Sequence, residues 1–280
     1  MRKIGTHMKN LLKMRVAVLG AGKIGTILLQ AMFDKQLLTP KNVHGTVQHS
    51  EKLRALRKDL GITASTDNIA AVRDADIVLI CVKPQTVGQV LEQVAPVVTS
   101  KQVLISVAAS VPTDAMERRL PIEARIVRAM PNTPSMVGSG MTAICKGKHA
   151  QVADLELART LFETVGRTVV VDEKHMDAVT GLSASGPAFI YIILESLAEA
   201  GVKVGLPRDL ATLLAAQTTL GAARMVLETG NHPALLKDAV TTPAGCTIDG
   251  ILELEEGKLR VTLIKAVVKA AQRAKELVFS

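Results

Sequence analysis

Residues 15–25 read Arg-Val-Ala-Val-Leu-Gly-Ala-Gly-Lys-Ile-Gly, and this segment constrains the fold more than any other. An apolar, β-branched run reads as a buried strand, and Ile24, Ile27, Leu28, Ala31 and Met32 then recur at helical spacing. Between them stands G-x-G-x-x-G. Each glycine in that pattern meets a separate demand: Gly20 the tight turn, Gly22 a close backbone approach to a pyrophosphate, Gly25 close packing of helix on strand. The helix start supplies free N–H groups and the positive end of its dipole. A glycine-rich turn without a ligand is the plainer reading of the motif alone. Its place between strand and helix favours a dinucleotide site built from Gly20, Ala21, Gly22, Lys23, Ile24 and Gly25.

Further strands are expected at about Val43–Val47, Ile77–Val82, Val103–Val107, Arg125–Ala129 and Thr168–Val171, with helical segments between most of them. Repeated strand–helix–strand units imply a parallel sheet covered on both faces. Gly140–Cys145 reads as another strand near the sheet edge. After Asp172 the character changes and no further strand is expected. Met176–Val202 is a helical pattern interrupted at Ser185-Gly186-Pro187. Pro207 is placed to open a helix running to about Glu228, which Gly230 ends. Leu259–Val278 closes the chain as a helix. The expected organisation is a dinucleotide-binding α/β domain over 14–172 and an all-α domain over 173–280. Met1–Lys13 is set aside from this reading as an N-terminal extension.

The chain has 280 residues, 48% hydrophobic and 21% charged, enough for a sizeable core and unlike a disordered chain. There is no Trp and a single Tyr, so the core must be aliphatic. The net charge of +8 raises nucleic-acid binding, but base-stacking aromatics are nearly absent and no such motif occurs; a solvated basic surface is the better reading. Unbroken apolar runs such as Ile77 to Val82 are too short for a bilayer, and no signal peptide is visible. Cys81, Cys145 and Cys246 lack metal-ligand spacing and fit a reducing cytoplasm. The six His are scattered, so no metal is implied.

Three more segments fall at the C-terminal ends of expected strands, where open α/β sheets bind ligands. These are Cys81-Val82-Lys83-Pro84-Gln85, Ser106-Val107-Ala108-Ala109 and Arg128-Ala-Met-Pro-Asn-Thr-Pro134. Lys83 is either a counter-charge for a ligand or a solvated loop lysine. The prolines around Asn132 stiffen a loop suited to forming a wall beside a nicotinamide ring. At the tip of the second strand, Gln48 and His49 stand where an NAD site usually has an acid. That leans toward NADP, with NAD possible, although no Arg is present there either.

Over residues 14–278 the chain resembles pyrroline-5-carboxylate reductases. The resemblance is carried by Val82-Lys-Pro-Gln85, Met130-Pro-Asn-Thr-Pro134, Gly181-Leu-Ser-Ala-Ser-Gly-Pro-Ala188 and Asp238-Ala-Val-Thr-Thr-Pro-Ala-Gly-Cys-Thr-Ile-Asp-Gly250. It implies a Rossmann-like N-terminal domain and a C-terminal all-α dimerisation domain. The activity implied is NAD(P)H-dependent reduction of the cyclic imine 1-pyrroline-5-carboxylate to L-proline, by a cytoplasmic homodimer or larger homo-oligomer without nucleic-acid or membrane partners. It places the substrate carboxylate on Ala244, Gly245, Cys246 and Thr247, and the Thr247 hydroxyl, as the catalytic group, at the ring nitrogen. It also puts Glu173 near the substrate, Asn68 near the adenosine ribose, and Val107, Ala108 and Ala109 against the cofactor. The family usually reads Ser-Pro-Gly-Gly-Thr-Thr where this chain has Thr242-Pro-Ala-Gly-Cys-Thr247, and Gly in place of Ala184. Cys246 reads as a small packed side chain, since imine reduction needs no nucleophile. Alternatives are a β-hydroxyacid dehydrogenase, whose family relies on a lysine in the helical domain although neither Lys203 nor Lys237 lies in its motif, another imine reductase, or a cofactor-binding regulatory protein without catalysis.

Overall fold

The computed structural model describes residues 11–276. They form two compact units, 11–184 with 270–276, and Ser185–Lys269.

The first unit is built on an eight-stranded sheet of order β3-β2-β1-β4-β5-β6-β7-β8. The strands are β1 Val16–Leu19, β2 Val43–Thr46, β3 Thr63–Ser65, β4 Ile77–Ile80, β5 Val103–Ser106, β6 Arg125–Met130, β7 Gly140–Lys146 and β8 Gly166–Val170. Their apolar runs divide by alternation. Val16, Val18, Ile77 and Leu79 face one core layer, and Ala17, Leu19, Val78 and Ile80 face the other, as strands buried on both sides must. The first layer is covered by α1 (Lys23–Asp34), α2 (Leu53–Leu60) and α6 (Val152–Phe162), the second by α3 (Asn68–Arg73), α4 (Val87–Val94) and α5 (Thr113–Glu117). The order from β3 to β6 is that of a Rossmann-like dinucleotide-binding sheet.

Several expectations need correction. β7 runs antiparallel to β6, because only Pro131 to Ser139 joins them and a parallel crossover needs roughly a dozen residues or more. It lies one strand in from the edge, which β8 forms, pairing parallel to it. β3, three polar or small residues at the other edge, is too short to leave a periodic signal. Ile24 is 48% exposed although it continues the apolar stripe of α1. Leu11, within the segment set aside, is buried in the first core layer, and the Asn42 side chain donates to the Leu12 carbonyl. The expected end of the last helix, Val278, lies outside the described residues.

The chain leaves the sheet through α7 (Met176–Val179), a π-turn at Thr180–Ala184, and α8 (Gly186–Lys203). The helical break thus begins at Thr180, ahead of Ser185. Gly181 is needed there, as a Cβ would stand 2.7 Å from the Ala271 backbone nitrogen.

The second unit contains α8, α9 (Arg208–Thr229), α10 (Pro233–Ala239), α11 (Cys246–Glu256) and the first half of α12 (Leu259–Glu276). α9 ends on Gly230 in the left-handed conformation, φ 70°, the usual glycine stop. α8 and α9 meet through small residues: a Cβ on Gly201 would stand 2.8 Å from that of Ala211. Arg208 and Glu199 close the corner at 2.5 Å. Leu210, Leu213 and Leu214 of α9, and Tyr191 of α8, remain exposed. Whole helices alter the reading drawn from unbroken apolar runs. Glu173–Lys203 and Arg208–Thr229 are each long and apolar enough to cross a membrane, with only 6% and 11% of their apolar windows buried.

Candidate active site

The β1–α1 connection has the form a pyrophosphate needs. Gly20 adopts φ +80°, and a Cβ there would lie 2.5 Å from Val82 Cγ1 and 3.0 Å from the Val82 nitrogen. A Cβ on Gly22 would meet only the Gly20 carbonyl, at 3.9 Å, so the space above it is open for a ligand. Gly25 has Val18 and Cys81 as neighbours. α1 has no side-chain cap and no acid in its first turn, which leaves its leading N–H groups and its dipole for an anion. These observations fit a dinucleotide.

A threonine that sequence reasoning missed organises the turn. Thr46, at the end of β2, is 2% exposed. Its hydroxyl accepts from the Gly20 nitrogen at 3.3 Å and donates to Asn68 Oδ1 at 2.7 Å, and its carbonyl accepts from the Ala21 nitrogen at 2.7 Å. Asn68 Nδ2 donates in turn to Gln93, so Asn68 is held beside the glycine turn from two sides. A polar residue inside a buried strand was the available signal. Beyond Thr46, Gln48 and His49 are exposed at the strand tip.

The other expected cofactor residues differ in access. Lys83 is exposed and Pro84 opens a single 3-10 turn. Val107 and Ala108 are buried, and Ala109 is half-buried. Cys81 and Val82 lie under the glycine turn. Burial pushes the Cys81 thiol up to about 12, and burial, with Glu173 adding to it, does the same for Cys145. Neither sulfur is a thiolate near neutral pH. Cys246 is exposed. Alkylation of the native protein is therefore expected to modify Cys246 alone, and all three cysteines only after denaturation; intact-mass and peptide analysis check this, and native labelling at Cys81 would contradict it.

Glu173 is engaged within the first unit. Its Oε1 accepts from the Thr113 nitrogen at 2.8 Å and from Arg128 Nη1 at 3.3 Å, and its Oε2 accepts from the Thr113 hydroxyl at 2.5 Å. Arg128 is 3% exposed and was also missed; an arginine in the buried middle of a strand, between Val127 and Ala129, was the signal. Its Nη2 lies 3.8 Å from Asp177. One strand-length on, Asn132 Oδ1 accepts from the Met141 nitrogen at 2.9 Å, and its Nδ2 donates to the Ser183 carbonyl at 3.2 Å.

In the second unit, Thr242, Pro243, Ala244 and Gly245 form a turn closed by the Gly245 nitrogen donating to the Thr242 carbonyl at 3.0 Å. Ala244 stands at φ +57°, a left-handed position that costs a non-glycine residue about 1–2 kcal/mol. Here the family's usual glycine is the less strained residue. Gly245 cannot be replaced so easily, since its Cβ would lie 2.4 Å from the Thr242 hydroxyl. Gly245 then caps α11 with no side-chain bond to the helix N–H groups. Cys246 and Thr247 are the first two helical residues. The hydroxyls of Thr212, Thr219, Thr229, Thr241 and Thr262 each bond back to the backbone carbonyl four residues before. Among the described residues the Thr247 hydroxyl has no hydrogen-bond partner. The segment thus offers an uncapped helix N-terminus and a free hydroxyl on one short stretch, suited to a small carboxylate with a neighbouring polar atom. Of the lysines in the rival dehydrogenase reading, Lys203 is exposed at the end of α8, and Lys237 is paired with Asp238 at 2.6 Å.

The comparisons with known proteins cover both units. Residues 173–277 match the family model described as pyrroline-5-carboxylate reductase dimerisation, and residues 15–110 match one described as NADP oxidoreductase, coenzyme F420-dependent. The chain is 45% identical over 263 residues to the pyrroline-5-carboxylate reductase of Methanosarcina acetivorans, covering 94% of this chain and 97% of that protein. It is 41% identical to that of Glycine max, covering 92% and 94%. Among solved structures, a pyrroline-5-carboxylate reductase from Coxiella burnetii superposes with a TM-score of 0.88 at 35% identity, covering 95% of this chain and 99% of that one. The Plasmodium falciparum pyrroline carboxylate reductase with NADP bound gives 0.85 at 30%, covering 95% and 98%. With the glycine turn on one unit, the Pro243–Thr247 corner on the other, and this likeness running through both, the chain belongs to the pyrroline-5-carboxylate reductase family.

Proposed function

We propose that the chain reduces 1-pyrroline-5-carboxylate to L-proline, taking NADPH in preference to NADH. The observation that carries this reading is the start of α11, where uncapped N–H groups adjoin the unbonded Thr247 hydroxyl. NADPH, when bound, supplies the hydride. The chain's own residues bind and orient. Gly20, Gly22 and the first turn of α1 hold the pyrophosphate, with Asn68 fixed beside the turn by Thr46. The Gly245–Thr247 N–H groups hold the substrate carboxylate, and the Thr247 hydroxyl steadies the ring nitrogen as its charge changes. A protonated imine is already electrophilic, so no strong acid is asked of the protein. The assembly is a homodimer or larger and the compartment the cytoplasm; the exposed leucines of α9 and the dimerisation match over 173–277 support the first, and three cysteines without a disulfide accord with the second.

Oxidation of NADPH on adding pyrroline-5-carboxylate, with proline as product, is the test; a folded sample inert with both NADPH and NADH sinks the reading. Gln48→Asp is expected to shift the ratio of kcat/KM values toward NADH, since a carboxylate at the strand tip accepts from a ribose hydroxyl and repels a 2′-phosphate. Wild-type efficiency higher with NADH contradicts the cofactor preference.

A further inference from the structure

The loop from β6 to β7 ends a strand at the sheet's ligand edge, and its central side chain does more than turn the chain. Asn132 uses both ends of its amide. The Oδ1 accepts from the Met141 nitrogen at the start of β7. The Nδ2 donates to the carbonyl of Ser183, inside the π-turn at Thr180–Ala184. That turn is fixed from its other side, where Gly181 abuts the Ala271 backbone so closely that no Cβ fits. Met130, two residues before Asn132, belongs to a small apolar cluster. The cluster joins Met130 and Cys145 to Met176, with Ala109 and Ala184 packed against it. One packed cluster therefore contains the start of the Met130–Pro134 loop, the end of the π-turn, and Ala109, the half-buried residue of the expected cofactor segment. π-turns cost hydrogen-bond geometry and are retained mostly where function needs them.

We propose that Asn132 is a positioning residue of the reductase, whose amide N–H to the Ser183 carbonyl holds the Met130–Pro134 loop and Ala109 at one setting as the wall beside the nicotinamide. The proposal rests on the reductase reading for what that wall faces. Hydride transfer is steep in distance and angle, and a wall displaced by a fraction of an ångström to about 1 Å lowers turnover by up to roughly a hundredfold while leaving the groups that hold the phosphates and the carboxylate intact. The signature is a fall in kcat with little change in either KM.

Two variants separate the amide's two ends. Asn132→Asp keeps the acceptor for Met141 and replaces the donor to Ser183 with a carboxylate oxygen; Asn132→Ala loses both. Turnover of the wild type is measured first and by itself tests the reductase reading. The deuterium isotope effect on kcat is then compared using NADPH labelled at the transferring position, with whichever imine or carbonyl compound the wild type reduces. Both variants are expected to lose about ten- to a hundredfold in kcat, to keep each KM within about threefold, and to show a larger isotope effect. A merely structural role would lower the active fraction and leave the isotope effect unchanged. The fluorescence lifetime of bound NADPH, read without substrate, is expected to change in both variants at similar affinity. An Asn132→Asp enzyme matching wild type in isotope effect and lifetime overturns the proposal, whatever the substrate proves to be.

Discussion

Gly22→Ala is expected to weaken NADPH binding about a hundredfold, near 2.7 kcal/mol, with the melting temperature unchanged. The new Cβ meets only the Gly20 carbonyl at 3.9 Å, so the empty fold accommodates it; the methyl group instead occupies the space a pyrophosphate must enter. Gly20→Ala should lose at least as much affinity for a different reason. Its φ of +80° puts a Cβ 2.5 Å from Val82 Cγ1 and 3.0 Å from the Val82 nitrogen. Left-handed strain of about 1–2 kcal/mol adds to about 1–3 kcal/mol of overpacking. The Thr46 hydroxyl, bonded to the Gly20 nitrogen and to Asn68, would be displaced with the turn. Thermal unfolding beside NADPH titration distinguishes the two: binding and stability fall together in Gly20→Ala and part in Gly22→Ala. Wild-type affinity in Gly22→Ala would remove the glycine turn from the cofactor site.

Thr247→Val keeps the side-chain shape and deletes a hydroxyl that has no partner among the described residues. If that hydroxyl serves the ring nitrogen, its loss should lower kcat/KM by about 2–4 kcal/mol at most, the scale of one well-placed donor. NADPH affinity should stay within about twofold, since the cofactor contacts lie on the first unit. Helix stability should hardly change, because no back-bond to the helix is broken. Cys246→Ala should be milder, since its side chain is exposed and imine reduction needs no nucleophile. Steady-state kinetics for both variants decide between them. Near-wild-type activity in Thr247→Val together with a folded, inactive Cys246→Ala would exchange the two roles and bring back a nucleophile.

The parts of this molecule legible in its sequence are those where one residue type satisfies a demand no other can. The glycine turn was readable because Gly20 needs a positive φ and Gly22 an absent side chain, and the sheet because β1, β4 and β5 are apolar on both faces. Tertiary conditions were not readable. The reversal of β7 follows from the short path between Met130 and Gly140, not from its residues, which suit a parallel strand equally well. β3 is a strand because β2 offers it an edge. Ile24 belongs to an apolar stripe by spacing yet is exposed, since periodicity shows which residues share a side of a helix and not what covers each of them. Thr46 and Arg128 are polar residues in buried strands whose partners, Asn68 and Glu173, lie 22 and 45 positions away, out of reach of any local pattern. The left-handed residue at Ala244 was the opposite case: the Thr-Pro-Ala-Gly order raised the question, and the backbone angle answered it.

The scarcity of aromatic residues, met first as a limit on the core, has an optical consequence. With no tryptophan, Tyr191 as the only tyrosine and four phenylalanines, the protein's ultraviolet emission has a single source once excitation lies beyond the phenylalanine band. That residue is 59% exposed on α8, in the second unit, within the stretch matched by the dimerisation model. Reduced nicotinamide can therefore be followed by its own emission without a tryptophan background. The tyrosine signal, free of other fluorophores, becomes a label-free reporter on that helix, and dilution of the unmodified protein can reveal in one cuvette whether its surroundings change as subunits part.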